Sequence, residues 1–564
     1  MTGRPQVTRH GGRILADALA GHGVRTAFGV PGESFLPVLD GLHDVRDRLK
    51  FVICRQEGGA SYMAEAWAKL TGEPGVLFAT RGPGATNGSV GVHTAFQDST
   101  PMVVFVGQVG NDFVEREAFQ EIDYRRMYGP LTKWAAQIDR AERIPEYVSH
   151  AFHTATAGRP GPVLLALPED MLFSAAAVAD APRFRTPRAA PAPDDMQELE
   201  RLLAGAKRPF VLVGGGGWTK RASDALRGWA EATGVPVGCA FRCQDYFDNR
   251  HPNYAGDVGI GINPKLAQRV KEADVLLVIG ARLGEMTTGG YTLLDVPVPR
   301  QTLIHVHAGA EELGRVYQAA LPINSNYEEF VLALSAISTK NGEWKSRAAA
   351  AHADYLQWNK PIPMPGALQF GEVIGWLSQN LPEDAIVTNG AGNFASWLHR
   401  HFRYKGWQCG WRTQLGPTSG SMGYSVPAAV AAKIAAPRRT VVAVAGDGEF
   451  LMNGQEFATA MQYRAPIVVL VVNNGMYGTI RMHQEREYPG RVSGTELANP
   501  DFAAYARAFG GHGETVERTA DFAPAFERAV ASGKPAILEL RIDAEAITPS
   551  ATLSGLRAAA LARK

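Results

Sequence analysis

The chain has 564 residues, enough for three or four domains of ordinary size. It carries 57 Lys and Arg against 56 Asp and Glu, and the net charge of +1 argues against a large surface for nucleic acid or an anionic membrane. Its four cysteines form no CxxC pair, and the sequence has no apolar signal segment and no apolar run that could span a bilayer. We therefore expect a cytoplasmic protein that binds neither nucleic acid nor membrane.

Strand-like apolar runs alternate with amphipathic, helix-like runs along almost the whole chain, which predicts parallel α/β units. Two stretches interrupt the alternation. Residues 173–195 are rich in Ala and Pro and are typical of a linker, and residues 338–367 should hold a helix followed by an extended connector. We predict an α/β fold of three doubly wound parallel-sheet domains. Their bounds are 1–172, 196–335 and 368–548, and residues 549–564 form a C-terminal tail.

Two predicted strands of the third domain end in polar residues. Residues 440–445 lead into Gly446-Asp447-Gly448, and residues 467–472 lead into Asn473-Asn474, with a helix predicted over 449–464 between them. The carboxyl ends of neighbouring parallel strands face one crevice, so Asp447 and Asn474 should lie together. A carboxylate and an amide oxygen suit Mg²⁺, and glycines at a helix N-terminus let backbone N–H groups approach a diphosphate. A lone GDG would favour a turn with a capping Asp; the second strand makes the pattern specific.

This segment resembles the metal and diphosphate motif of thiamine-diphosphate enzymes. The resemblance implies the thiamine-diphosphate-binding fold with a Rossmann-like middle domain, and Mg²⁺ held by Asp447, Asn474 and the carbonyl of Met476. Met422 would be the apolar fulcrum that bends the cofactor, and the Gly420 carbonyl would accept from its amino group. The other residues implied to bind the cofactor are Gly390, Ala391, Gly392, Asn393, Gly446, Gly448, Glu449, Tyr477 and Gly478.

The first domain contains an acid of the kind that such a cofactor needs. Glu57 stands among small apolar residues in the segment 55–66, which resembles the family's cofactor-activating glutamate segment. Taken alone, Glu57 would be interpreted as an exposed helix-cap residue. In this family the first domain of one chain faces the third domain of another. The resemblance therefore implies at least a homodimer, with Glu57 and Asp447 of one site on different chains.

Further segments of the first domain, RGPGATN at 81–87 among them, resemble the acetolactate synthase branch of the family. This resemblance implies decarboxylation of a 2-keto acid such as pyruvate and ligation to a second carbonyl compound. It does not determine whether a regulatory subunit binds the chain. Gln120 and Lys133 are candidates to position substrate carboxylates, and Gly32 and Thr80 are further candidates for the substrate site.

Three features depart from acetolactate synthases. Acetolactate synthases have a PGG turn near the substrate, whereas this chain has Pro31-Gly32-Glu33. The acid makes the turn more similar to the PGD turn of decarboxylases, in which that residue transfers protons. Glu33 could equally stabilise the start of a helix by complementing its dipole. His483 stands at about the position of the Trp that selects the second keto acid. The middle domain keeps Arg282 but has His307 where an adenine-nucleotide-binding Asp is typical, so FAD is disfavoured. Simple decarboxylation, an FAD oxidase and a non-catalytic homologue stay open as alternatives.

Overall fold

A computed structural model describes residues 7–338, 342–405 and 412–563. The chain divides into two compact units, one of residues 1–187 with 430–435 and the other of residues 188–429 with 436–564. Within the described ranges no helix is long and apolar enough to cross a membrane.

The first unit is built on a parallel sheet of six strands in the order β3-β2-β4-β5-β7-β6, with a separate antiparallel pair, β1 and β8. Its strands are β1 (Thr8–His10), β2 (Thr26–Gly29), β3 (Lys50–Ile53), β4 (Gly75–Ala79), β5 (Met102–Gln108), β6 (Trp134–Gln137), β7 (Pro162–Pro168) and β8 (Ala175–Ala177). Its helices are α1 (Gly11–Gly21), α2 (Leu36–Asp44), α3 (Glu57–Thr71), α4 (Pro83–Asp98), α5 (Tyr124–Tyr128), α6 (Ile144–Thr156) and α7 (Glu169–Phe173).

The second unit contains two six-stranded parallel sheets. The first has the order β11-β10-β9-β12-β13-β14, which is the Rossmann order. Its strands are β9 (Phe210–Val213), β10 (Val237–Ala240), β11 (Tyr254–Val258), β12 (Val275–Ile279), β13 (Thr302–His307) and β14 (Leu321–Asn324). The accompanying helices are α8 (Pro193–Ala204), α9 (Lys220–Thr233), α10 (Pro264–Glu272), α11 (Tyr327–Leu334) and α12 (Gly342–Trp358).

The other sheet of this unit has the order β16-β15-β17-β18-β20-β19, the same winding as the sheet of the first unit. Its strands, with the short pair β21 and β22, are β15 (Ile386–Asn389), β16 (Gln414–Leu415), β17 (Val441–Gly446), β18 (Val468–Asn473), β19 (His512–Val516), β20 (Ala536–Arg541), β21 (Ala546–Thr548) and β22 (Ala551–Thr552). The remaining helices of the chain are α13 (Phe370–Asn380), α14 (Phe394–His401), α15 (Ser425–Ala435), α16 (Asp447–Asn453), α17 (Phe457–Gln462), α18 (Gly478–Glu487), α19 (Phe502–Ala508), α20 (Thr519–Ala531) and α21 (Leu553–Leu561). Residues 430–435, the end of α15, belong to the first unit.

Three parallel sheets confirm the predicted α/β class and the Rossmann-like middle sheet. The strand order of the first unit's sheet reverses between β2 and β4, and that of the last sheet reverses between β15 and β17. Open α/β sheets bind ligands at such switch points. The central strands are buried on both faces, as expected for parallel sheets covered by helices; β17 is buried along its whole length. The fold thus places the ends of these strands where a site is expected.

Two segments of the structure differ in detail from what the sequence predicts. The linker predicted at 173–195 contains β8, which pairs with β1, and its last residues belong to α8. The helix predicted over 449–464 is divided into α16 and α17 by a 3₁₀ turn at Gly454–Glu456. A Cβ at Gly454 would lie 2.6 Å from the ring of Phe450, so this position needs a glycine although glycine weakens a helix. The helix predicted within 338–367 is present as α12, and the chain from 359 to 369 carries no helix or strand; residues 339–341 lie outside the described residues.

Candidate active site

Asp447 begins α16 directly after β17 and is only 3% exposed. Its Oδ1 accepts from the backbone N–H of Gly448 at 2.9 Å, and its Oδ2 accepts from the N–H of Gly475 at 2.9 Å and from Asn499 Nδ2 at 2.8 Å. Burial raises the pKa of the Asp447 carboxyl, and these hydrogen bonds oppose that shift. The Asp447 carboxylate therefore lies among hydrogen-bond donors at the carboxyl ends of β17 and β18.

The chain after β18 turns sharply beside Asp447. Gly475 has a φ of +69°, a conformation that favours glycine. The backbone N–H of Asn474 opposes the rise in the pKa of the Asp447 carboxyl, and Asn474 Oδ1 accepts from the N–H of Met476 at 3.2 Å. Met476 forms an isolated antiparallel bridge with Glu496. The structure thus brings together Asp447, Asn474 and Met476, which the sequence proposes as metal ligands.

Asn499 is the polar residue of this cluster that sequence reasoning missed. Its Nδ2 also donates to Asn473 Oδ1 at 3.0 Å, while its own buried Oδ1 has no hydrogen-bond partner among the described residues. It lies in a loop 25 residues beyond Asn474, outside any motif, and no periodic pattern marks it. An unpartnered amide oxygen beside a buried carboxylate suits a hard cation.

The oxygen atoms of this cluster fit Mg²⁺ by their chemistry. They are carboxylate, amide and backbone carbonyl oxygens, which Mg²⁺ prefers to nitrogen or sulfur. Across the part of the chain that the structure describes, no group of three or more His, Cys, Asp or Glu side chains could hold a metal. A cation here would therefore depend on amide and carbonyl oxygens around the one carboxylate of Asp447.

The glycines of the GDG turn are required by close packing. A Cβ at Gly446 would lie 2.8 Å from the ring of Phe394, and a Cβ at Gly448 would lie 2.6 Å from the ring of Tyr477. A Cβ at Gly478 would lie 3.0 Å from Ile547. Aromatic and aliphatic neighbours thus hold this backbone in place, in addition to any role of the glycines in admitting a diphosphate.

Glu449 lies at the switch point and is buried. Its carboxylate accepts from the N–H of Ser425 at 3.1 Å and from Ser425 Oγ at 2.8 Å. Burial raises the pKa of Glu449 to about 7, and N–H groups of Gly423, Tyr424 and Ser425 oppose the shift. A Cβ at Gly390 would lie only 2.1 Å from Glu449 Oε1. In this structure Glu449 therefore binds protein backbone.

The remaining predicted cofactor residues of this sheet lie around the same edge. Asn393 accepts from Thr479 Oγ1 at 2.9 Å and donates to the Ile547 carbonyl at 3.0 Å, so it joins the start of α14 to α18 and β21. Gly420 has a φ of +71°, and Met422 is half-buried. Ala391 and Gly392 lie in the turn between β15 and α14.

Glu57 is the first residue of α3 and is 8% exposed. The side chain of Gln56 caps the helix by accepting from the N–H of Gly59 at 3.1 Å. The Glu57 carboxyl instead turns toward α4, where Oε2 accepts from Asn87 Nδ2 at 3.1 Å and a Cβ at Gly84 would lie 3.0 Å from Oε1. The alternative interpretation of Glu57 as an exposed cap is therefore wrong.

Gly32, Glu33 and Thr80 lie at the carboxyl ends of β2 and β4, and Gln120 reaches the same edge of the sheet from the segment between β5 and α5. A Cβ at Gly32 would lie 2.5 Å from Thr80 Cβ, so these two residues are in contact. Glu33 Oε1 accepts from Arg81 Nη2 at 3.3 Å. Gln120 has a φ of +65° and contacts Gly82, where a Cβ would lie 2.8 Å from Gln120 Cβ. The switch point of the first sheet is thus lined by Gly32, Glu33, Thr80 and Gln120.

Two further candidates are not brought into these clusters. Lys133 stands before β6, at the opposite edge of the sheet, and its Nζ donates to the Ala157 carbonyl at 2.6 Å. Within this chain Lys133 and Gln120 therefore lie at opposite edges of the first sheet, because parallel strands direct their amino and carboxyl ends to opposite edges. His483 lies on α18 and is exposed.

The middle sheet holds its two notable side chains in internal contacts. Arg282 Nε pairs with Glu312 Oε2 at 3.2 Å, and Glu312 is buried. His307 is buried, and its Nδ1 accepts from the N–H of Gly309 at 3.0 Å. Both side chains therefore contribute to the packing of this sheet.

Comparison with known proteins assigns the family. The chain matches three domain families of thiamine pyrophosphate enzymes: the N-terminal TPP binding domain over residues 9–127, the central domain over 196–334 and the C-terminal TPP binding domain over 390–540. Together with the three sheets, these matches define a thiamine-diphosphate-dependent enzyme.

Whole-length relatives narrow the assignment. The acetolactate synthase isozyme 2 large subunit of Escherichia coli (strain K12) is 32% identical over 95% of this chain and 96% of its own length. The probable acetolactate synthase large subunit of Methanocaldococcus jannaschii is 32% identical over 95% and 93%, and the acetolactate synthase large subunit of Corynebacterium glutamicum is 33% identical over 97% and 87%. The chain belongs to the acetolactate synthase large-subunit family of thiamine pyrophosphate enzymes.

Proposed function

We propose that this chain decarboxylates a pyruvate-like 2-keto acid and joins the remaining fragment to the carbonyl carbon of a second substrate, with thiamine diphosphate and Mg²⁺ as cofactors. The burial of the Glu57 carboxyl against Asn87 and Gly84 is the observation that carries the proposal. Bound thiamine diphosphate supplies an electron sink for loss of CO₂. A protein that only bound the cofactor would not need a buried acid in this position.

The proposed roles follow from the position of each residue. Asp447, Asn474 and the Met476 carbonyl hold Mg²⁺, and the backbone around Gly390 and Gly448 holds the diphosphate. Glu57 holds a proton at its carboxyl for the aminopyrimidine ring, and Asn87 orients that carboxyl. Gln120 orients a substrate carboxylate next to Gly32 and Thr80.

The nature of the acceptor depends on Glu33 and His483. The exposed carboxyl of Glu33 favours a second candidate function, simple decarboxylation in which Glu33 protonates the product. Its ion pair with Arg81 supports a positioning role instead. His483, exposed on α18, is proposed to face the second substrate.

We also propose that the enzyme works without FAD, because Arg282 and His307 make internal contacts. The absorption spectrum of the purified protein tests this, since a flavin would be visible. A cytoplasmic location is proposed as well, and cell fractionation tests it.

Glu57→Gln tests the function directly. The amide has the size of the carboxyl but cannot act as its acid, so turnover of 2-keto acids should fall by about 10³-fold, within the range of acid–base catalysis. Binding of Mg²⁺ and thiamine diphosphate, measured by calorimetry, should change by less than about threefold. Glu73→Gln, on the same unit and ion-paired with Arg25, is the matched control and should retain activity.

Product identification with pyruvate completes the test. A 2-hydroxy ketone or an acetohydroxy acid supports ligation, whereas free acetaldehyde alone supports simple decarboxylation. Turnover that survives Glu57→Gln, or a panel of 2-keto acids without any Glu57-dependent turnover, would contradict the proposal.

A further inference from the structure

Glu539 is a buried acid in the otherwise apolar run of β20, a strand that lies between β18 and β19. The register pairs it with Thr515 on β19 and with Val471 on β18, and Asn473 follows two residues later on the same face. Its Oε1 accepts from Asn473 Nδ2 at 2.7 Å and from Arg541 Nε at 3.2 Å, and its Oε2 accepts from Thr515 Oγ1 at 3.0 Å. One buried carboxylate thus holds the side-chain amide at the end of β18.

The contact with Glu539 fixes which way the Asn473 amide points. A carboxylate only accepts hydrogen bonds, so the amide nitrogen of Asn473 must face Glu539. Its Oδ1 then faces the turn after β18, where it accepts from the N–H of Gly475 at 3.1 Å and from Asn499 Nδ2 at 3.0 Å. A reversed amide would place oxygen against the carboxylate and nitrogen against the N–H of Gly475. Glu539 and Gly475 therefore allow a single orientation of this amide.

Asn499 is oriented in turn by Asn473 and Asp447. Both present oxygen atoms, Asn473 Oδ1 at 3.0 Å and Asp447 Oδ2 at 2.8 Å, so the amide nitrogen of Asn499 must face them. Its own Oδ1 is buried and has no hydrogen-bond partner among the described residues, a costly state for a polar atom. The backbone holds this loop against the turn, because the N–H of Leu497 donates to the Gly475 carbonyl at 2.9 Å. Asn499 therefore keeps one nitrogen on Asp447 and one oxygen in reserve.

We propose that Glu539 is a positioning residue for the metal site and acts through the relay Glu539–Asn473–Asn499. The relay holds the Asp447 carboxylate in one orientation and offers Asn499 Oδ1 to a hydrated divalent cation. This inference rests on the proposed function, which assigns Mg²⁺ to Asp447. Mg²⁺ usually keeps several of its waters, and an amide oxygen can accept from such a water. Residues that orient the ligands of a metal typically contribute about 10- to 100-fold to its affinity.

Metal affinity measures this role without turnover. The full chain is stripped of metal, supplied with a fixed excess of thiamine diphosphate and titrated with Mn²⁺ in place of Mg²⁺, and free Mn²⁺ is followed by electron paramagnetic resonance. In Glu539→Met no acceptor holds the Asn473 amide, and the Kd of Mn²⁺ should rise by about 10- to 100-fold. Glu539→Gln keeps an oxygen that accepts from Asn473 and should stay within about threefold of the unmodified protein. Thr515→Val removes a hydrogen bond from the same carboxylate on the side away from Asn473 and should also stay within about threefold.

A double variant tests whether Glu539 acts through Asn499. Asn499→Leu alone should raise the Kd of Mn²⁺ by about 10- to 100-fold. Because both residues belong to one relay, Glu539→Met with Asn499→Leu should exceed the larger single effect by no more than about threefold, whereas two independent structural losses would multiply. Should Glu539→Met fail to fold by circular dichroism, Asn473→Leu interrupts the relay at its next residue and replaces it under the same criteria.

A folded Glu539→Met protein whose Kd for Mn²⁺ rises by less than about threefold would overturn the inference and leave the proposed function intact. A loss of affinity that Glu539→Gln or Thr515→Val shares, or single effects that multiply in the double variant, would do the same. If the unmodified protein bound no Mn²⁺ in the presence of thiamine diphosphate, the inference and the proposed metal site would both be overturned. Normal Mn²⁺ binding without any Glu57-dependent turnover would contradict the proposed reaction alone.

Discussion

Glu449 shows how one buried side chain can organise several loops. Its carboxylate accepts from the backbone and hydroxyl of Ser425, and it fills the space that a side chain at Gly390 would need. It follows Asp447 by two residues, so it ties the proposed metal turn to the segment that carries Gly420 and Met422. The resemblance assigns Glu449 to the cofactor, whereas its contacts in the structure are to the protein itself.

Glu449→Gln is expected to loosen these loops while leaving the proposed metal ligands Asp447, Asn474 and Met476 in place. The amide group places N–H donors against the N–H groups of Gly423 to Ser425, so favourable contacts become repulsive. We expect the free energy of unfolding to fall by about 1–3 kcal/mol and the Kd of thiamine diphosphate with Mg²⁺ to rise by about tenfold. Urea unfolding and calorimetry measure the two effects. Glu517→Gln on an exposed ion pair is the control, and unchanged cofactor affinity in a folded Glu449→Gln enzyme would contradict the prediction.

At the scale of elements, α18 and the C-terminal helix α21 form one packed unit. Met482, Ile547 and Leu553 form a buried cluster that Met476 and Leu556 complete. Arg557 donates to both oxygens of Glu485, at 2.9 and 2.6 Å, and the Glu485 side chain has no exposed area. The hydrogen bonds from Arg557, aided by Arg481, lower the pKa of Glu485 to about 2.

This pair predicts that docking of α21 weakens in acid. Because the pKa of Glu485 is lowered from 4.5 to about 2, its contribution is complete above about pH 4.5 and is lost as the pH falls toward 2. Arg557→Met keeps the apolar stem but removes the hydrogen bonds. Hydrogen exchange should then be faster in residues 553–561 at pH 6, and the loss of protection between pH 5 and 3 should become smaller. Arg486→Met, on the exposed face of α18, should change neither, and equal protection in both variants would refute the role of the pair.

Elements whose local pattern agrees with their final environment could be predicted from the sequence. The apolar run of β17 followed by Gly446 and Asp447 carries its position in its residues, because a doubly covered parallel strand must be apolar throughout. Asn499 could not be found in this way, because its position depends on how a long loop folds back. The same holds for the contact between Arg81 and Glu33, which lie 48 residues apart and meet only through the order of β2 and β4.

At the scale of the whole molecule, the two outer sheets share one winding order, and each presents a polar switch point. Glu57 begins α3, a helix of the first unit, and Asp447 begins α16, next to the last sheet of the second unit. The resemblance implies that one site takes Glu57 from one chain and Asp447 from another. Symmetric homodimers would then contain two equivalent sites, each using both chains.

Mixing two inactive variants tests this arrangement. Glu57→Gln and Asp447→Asn each disable every site of their own homodimer. If a site takes one residue from each chain, a mixed dimer contains one site with both changes and one site with neither. Random exchange after co-expression makes about half of the dimers mixed, so about one quarter of the unmodified activity should return. If both residues of a site came from the same chain, every site would carry one change and no activity would return. Light scattering on the same samples gives the number of chains, and a monomer would exclude shared sites directly.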